Sequence, residues 1–213
     1  MVRHGFGGNA DQFRYNLPAL ALKGYHTYAT DFLGYGYSDK PNPREYEVNY
    51  VYNFDTWASQ TLQFIETVVK RPCVLVCNSV GGIAGLECAL RRPDLITGVV
   101  PINVSLRLLH VKKQSPWQRP LVAGLQTLLR TSGLGEAFFR SVATPATLRR
   151  ILAEAYAMPP ADLPAEVVDL VLAPGLAPGA AAVFLDFISY RCPSVPPSSY
   201  LLLVALSCCY HYY

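Results

Sequence analysis

The chain has 213 residues, of which 51% are hydrophobic and 15% charged, a globular composition far from the charge-rich signature of disorder. Eighteen Lys and Arg against 15 Asp and Glu leave a formal charge of +3, too small and too scattered for a nucleic-acid partner. The six cysteines form no C-x-x-C pair, which argues against a disulfide framework or a zinc site, and no apolar run reaches the ~20 residues of a transmembrane helix.

In chain order, R-H-G-F-G-G at 3–8 reads as a glycine-rich turn after the remnant of a strand. Residues 9–24 carry Phe13, Leu17, Leu20 and Ala21 at helical spacing, and Gly24 suits a C-cap. H-T-Y-A-T at 26–30 reads as a strand ending on Asp31, followed by a Gly- and Pro-rich loop. A helix is expected over 54–69, with Asp55 near its start. The apolar run 73–77 has the pattern of a strand buried on both faces. A helix over 82–91 and a strand over 98–103 follow, and this alternation predicts an α/β fold with a mostly parallel sheet.

Residues 106–187 lack strand signals. The stretches 119–130 and 146–156 have amphipathic helix patterns broken by Pro and Gly, as in a helical cap or lid. Three regions are therefore expected: the N-terminal part of an α/β core over 1–105, a cap over 106–187, and an atypical, disordered tail over 188–213.

Ser79 sits where the buried strand C-V-L-V-C-N turns into the helix that opens with Gly81 and Gly82. A sharp turn there pushes its side chain out at the carboxyl end of the sheet, the ligand-binding edge of open α/β folds. The helix N-terminus favours negative charge above the serine, which suits the oxyanion formed when a hydroxyl attacks an ester carbonyl. The Val80 N–H is the first donor to such an oxyanion. The glycine-rich loop at 4–8 supplies the second, the Phe6 N–H.

The stretches H-G-F-G-G (4–8), D-F-L-G-Y-G-Y-S-D-K-P (31–41), C-N-S-V-G-G (77–82) and R-P-D-L-I-T-G-V-V (92–100) resemble the α/β-hydrolase superfamily. N-S-V-G-G, the Y-G-Y-S-D-K-P loop and A-V-F-L-D-F-I-S-Y (182–190) are similar to its chloroplast branch related to pheophytinase and chlorophyll dephytylase. The resemblance implies Ser79 as nucleophile, Phe6 and Val80 as backbone oxyanion donors, His4 as a structural loop histidine and Asp31 as an organiser of its loop. Serine at the elbow, where epoxide hydrolases and haloalkane dehalogenases carry aspartate, argues against those two chemistries.

Two departures stand out. Cys77 occupies a position where the family has glycine. The family also orders its triad Ser, acid, His, and no residue after Ser79 has the right context for either partner. The later acids are Glu87, Asp94, Glu136, Glu154, Asp162, Glu166, Asp169 and Asp186, and the later histidines are His110 and His211. Asn103 ends the strand after which some members carry the acid. The chain is thus expected to be truncated at both ends relative to the family. The functional expectation is a serine hydrolase of a carboxylic ester, with a phytyl or other pigment or lipid ester implied by the branch. The small-molecule ester is its only implied partner, without cofactor or metal, and the branch implies a chloroplast location. With no identifiable triad acid or histidine, the chain itself is expected to be inactive. The alternatives are a non-catalytic ligand-binding relative and a fragment without function.

Overall fold

The apolar stretch C-V-L-V-C-N forms the middle strand of a parallel sheet in the computed structural model, which describes residues 1–46, 51–104 and 133–188. The strands lie in the order β1 (Val2–Arg3), β2 (Cys73–Asn78) and β3 (Ile96–Ile102). Val2 pairs with Val76 and Arg3 with Cys77 on one side of β2. On the other side the register runs from Cys73 with Ile96 to Asn78 with Ile102. The strand expected at 26–30 is reduced to one parallel bridge between Ala29 and Val2, because β1 offers only two residues to pair with.

The helix expected over 9–24 divides. A short 3₁₀ turn covers Ala10–Phe13, and α1 covers Asn16–Ala21. Pro18 explains the break: its ring cannot donate to the Arg14 carbonyl and would clash with it in a continuous helix. Gly24 takes a left-handed φ of 86°, as its C-cap role requires. The 54–69 segment is helical throughout but changes type. It is α-helical over α2 (Phe54–Phe64) and closes in a π turn over Ile65–Val69, ended by Lys70 in the left-handed region. Asn53 caps α2, its side chain accepting from the Thr56 N–H at 2.8 Å.

Helix α3 (Val80–Arg91) starts two residues earlier than expected, immediately after Ser79. It packs on β2 and β3 and against α2. Ala58, Leu62, Ile65, Leu75, Cys88 and Ile96 form the core beneath it. Fully burying one Leu or Ile contributes about 1.5–3 kcal/mol, so this apolar face outweighs the propensity of either helix alone.

Four further helices follow among the described residues, α4 (Leu134–Val142), α5 (Pro145–Ala155), α6 (Ala165–Gly175) and α7 (Ala180–Ile188), in the stretch expected to form a cap. Helix α4 packs on α7, and α5 on α6. Helix α7 inserts Val183 and Phe187 into an aromatic cluster with Phe32, Tyr35, Tyr52 and Trp57. Helix α7 therefore shares a core with the segments around Phe32, Tyr52 and Trp57. Among the described residues no single helix is long and apolar enough to cross a membrane. Helices α6 and α7 would reach that length only as a pair, and they meet at 91°. The helix expected at 119–130, His110, His211 and the tail from residue 189 onward lie outside the described residues.

Candidate functional site

Ser79 lies between β2 and α3 with φ 51° and ψ −121°, a left-handed conformation that side chains avoid. Its own N–H donates to the Ile102 carbonyl at 2.9 Å, and its carbonyl accepts from the Gly82 N–H at 2.9 Å. The turn is thus closed on both sides while the side chain stays partly exposed. Small neighbours make this turn possible. A Cβ on Gly81 would lie 2.5 Å from the His4 carbonyl oxygen. One on Gly5 would lie 2.9 Å from the Ser79 Cβ. The glycine-rich loop and the serine turn are therefore in direct contact, as an oxyanion site requires.

Val80 is the first residue of α3, so its N–H has no partner within the helix. Phe6 sits in a turn closed by the Gly8 N–H donating to the Gly5 carbonyl at 3.1 Å. The Phe6 ring stacks on Phe187 of α7, with centroids 4.9 Å apart, and also meets Phe184 at 5.8 Å. The structure thus brings Ser79, Val80 and the Phe6 loop to one edge of the sheet.

His4 is fully buried. Its Nε2 accepts from the Phe32 N–H at 2.9 Å, so the proton resides on Nδ1, which donates to the Gly5 carbonyl at 2.8 Å. Burial pushes its pKa down to about 4. Both nitrogens are committed to holding the loop, and neither can serve Ser79 as a base. Asp31 is equally committed: Oδ1 accepts from the Ala10 N–H at 2.6 Å and Oδ2 from the Tyr37 N–H at 2.7 Å. Cys77 is fully buried, and burial pushes its thiol up to about 12, so it packs rather than reacts.

Four of the later acids are held in ion pairs away from Ser79. Glu87 pairs with Arg91, Asp94 with Arg92, Glu136 with Arg140 and Glu166 with Arg14. Asp186 is buried in α7, where its charge helps to raise the Tyr35 and Tyr52 hydroxyls above their usual range, after burial itself. Asn103 follows β3 directly with φ 49°, placing an amide side chain just after the strand end. A cleft of about 80 Å³ opens between the Phe6 loop and helices α4, α6 and α7, with Tyr35, Phe139, Val171, Val183 and Phe184 on its walls. Ser79 is not on its wall. A larger groove of about 550 Å³ lies at the amino ends of β2 and β3, away from the serine.

Sequence reasoning missed Asn9, which follows the glycine loop directly. It is 1% exposed, and its Nδ2 donates to the Leu170 carbonyl of α6 at 2.5 Å. A polar residue placed straight after G-G was a readable signal of a turn cap. Its partner 161 residues away was not.

The alpha/beta hydrolase fold family matches over residues 1–187, and the chain belongs to it. Among curated relatives, the 2-hydroxymuconate semialdehyde hydrolase of a Pseudomonas species is 31% identical over 103 residues, 47% of this chain and 34% of that protein. The chloroplastic pheophytinase of Arabidopsis thaliana is 27% identical over 127 residues, 47% of this chain and 26% of that protein. The chain spans about a third of the length of the curated relatives it matches. A solved epoxide hydrolase from Vigna radiata superposes with a TM-score of 0.63 at 19% identity, covering 89% of this chain and 63% of that one. At that identity the likeness is one of fold.

Proposed function

We propose that Ser79 is the nucleophile of a carboxylic-ester hydrolase site and that the 213-residue chain turns over little or no substrate. The observation that carries the first half is the Ser79 turn. A non-glycine residue with φ 51° is held under a helix N-terminus and against the Gly5 loop. Strain of this kind persists where the surroundings over-determine it, typically at functional sites.

In the reaction, Ser79 Oγ attacks the ester carbonyl and its proton passes to a base. The carbonyl oxygen becomes an oxyanion held by the Phe6 and Val80 N–H groups. Collapse expels the alcohol and leaves an acyl-serine, which water then cleaves. The second half of the proposal follows from the proton. Among the described residues His4 is committed to Gly5 and Phe32, and His26 lines the groove at the amino ends of the strands, so neither imidazole is placed to accept it at Ser79. Losing the base is among the costliest changes a serine nucleophile can suffer.

Substrate and location are finer matters. A phytyl or related lipid ester, and a plastid setting, rest on the likeness to the chloroplastic pheophytinase alone. A second reading, an esterase-like protein that binds a ligand without cleaving it, is favoured by Asn103 at the end of β3.

The purified chain is expected to hydrolyse p-nitrophenyl butyrate near the uncatalysed rate and to be labelled slowly at Ser79 by a fluorophosphonate. Rapid hydrolysis abolished by Ser79→Ala would overturn the inactivity. Phosphonate labelling that persists in Ser79→Ala would overturn the nucleophile.

A further inference from the structure

The Phe6 loop poses a problem that its own sequence does not solve. An oxyanion donor must hold its place to within about 0.5 Å, yet Gly5, Gly7 and Gly8 surround Phe6 with the most permissive backbone available. Gly7 has φ 69°, and a Cβ there would meet nothing within 4 Å, so packing does not restrain that part of the loop. His4 holds the Gly5 end and Phe187 the Phe6 ring, so restraint of the Gly7–Gly8 end must come from the residues that follow.

Asn9 is the first residue after the glycines, and it is tied in three directions. Its side-chain oxygen accepts from the Asp11 N–H at 3.1 Å, and its carbonyl accepts from the Gln12 N–H at 3.2 Å. Its Nδ2 donates to the Leu170 carbonyl at 2.5 Å. That last acceptor has a specific origin. In a regular helix the Leu170 carbonyl would accept from residue 174, but residue 174 is proline, which has no N–H. Pro174 thus leaves one carbonyl of α6 without its helical donor, and Asn9 supplies the donor.

We infer that Asn9 is a positioning residue for the oxyanion donor: by bonding the carbonyl that Pro174 frees, it fixes the Phe6 loop to the cap. The inference rests on the reading of Phe6 and Val80 as oxyanion donors. Phe6 stacks on Phe187, so the loop meets the cap through two helices, α6 by way of Asn9 and α7 by way of the ring. Arg14 makes a further contact with α6 through Glu166 at 2.8 Å, but on the exposed surface and beyond the loop.

Butyrate is a suitable probe, because a carboxylate occupies oxyanion donors without needing a base. With ¹⁵N-labelled full-length chain, butyrate is expected to shift the Phe6 and Val80 amide resonances together. Asn9→Ala, and Asn9→Ser, which retains a capping oxygen but not the amide donor, are expected to weaken binding at least fivefold. In both, the Phe6 response is lost while the Val80 response remains. Arg14→Ala is expected to stay within twofold of wild type. A purely structural role would not separate Phe6 from Val80. Wild-type affinity with an intact Phe6 shift in both Asn9 variants would overturn the inference, as would an equal loss in Arg14→Ala. Butyrate leaving both amides unmoved in the wild type would instead overturn the oxyanion reading beneath it.

Discussion

Cys77 and Gly85 fit as a pair: a Cβ on Gly85 would lie 2.6 Å from the Cys77 Sγ. Cys77 lies two residues before Ser79, and the helix accommodates its sulfur by being bare at the facing position. In an ordinary helix interior, Gly→Ala gains about 1 kcal/mol. Here Gly85→Ala is expected to lose about 1–3 kcal/mol through overpacking. In a Cys77→Ala background, where the nearest atoms are the Cβ at 3.6 Å and Leu75 Cδ1 at 3.7 Å, the same change is expected to stabilise. Urea unfolding of the four proteins should give a coupling above about 1 kcal/mol, and additivity would contradict the pairing.

Asn9 and Pro174 should be coupled in the same way. Asn9→Ala leaves the Leu170 carbonyl without a donor, at a cost of about 1–3 kcal/mol. With Pro174→Ala the helix can supply its own N–H, and the cost of Asn9→Ala is expected to fall by at least half. Equal costs in both backgrounds would mean that the carbonyl finds water instead.

The left-handed φ of Ser79 costs about 1–2 kcal/mol that glycine would not incur. Ser79→Gly is therefore expected to raise the melting temperature while removing fluorophosphonate labelling. A lower melting temperature would show that the hydroxyl stabilises the turn.

His4 should make stability depend on acid. Its folded pKa of about 4 lies below its unfolded value of 6.5, so between these values the unfolded chain binds a proton that the folded chain refuses. Stability from this group is whole above pH 6.5 and declines as pH falls towards 4, by about 3 kcal/mol in total. His4→Gln is expected to be destabilised at pH 7, with the deficit shrinking by pH 4.5. A deficit constant over that range would contradict the neutral, doubly bonded ring.

Arg3 is a buried cation 1% exposed, stacked on Phe32 and bonded to Thr30, with Nε and Nη2 lacking hydrogen-bond partners among the described residues. Burial pushes its pKa down to about 10. Replacing unsatisfied buried charge with an apolar chain of similar length often stabilises by about 1–4 kcal/mol. Arg3→Met is expected to gain at the lower end, because Thr30 loses a donor. A loss above 1 kcal/mol in urea unfolding would show that the stacking on Phe32 outweighs the missing bonds.

The parallel sheet and the turn at Ser79 were legible because their causes are local. An aliphatic run ending at Ser79 and Gly81 dictates strand, turn and helix within ten residues. The 9–24 helix was misread although Pro18 was visible, because apolar spacing was weighed above the missing N–H. The strand at 26–30 shrank to a bridge because a strand depends on its neighbour, and β1 is two residues long. The π turn at Ile65–Val69 leaves no trace in a 3.6-residue period. Asn9 was illegible for a different reason: its role is set by a proline on a distant helix.

The contact between Asn9 and α6 also fixes an order of events during synthesis. Asn9 leaves the ribosome long before Leu170, 161 residues later in the chain. β2, α3 and β3 lie within 30 consecutive residues, Cys73–Ile102, and can form soon after they emerge, since their contacts with one another are local. The loop beside the serine emerges well before α6 and α7, and it lacks its contacts with both until they follow. A nascent chain therefore carries the serine turn well before the loop that faces it is tied to these helices.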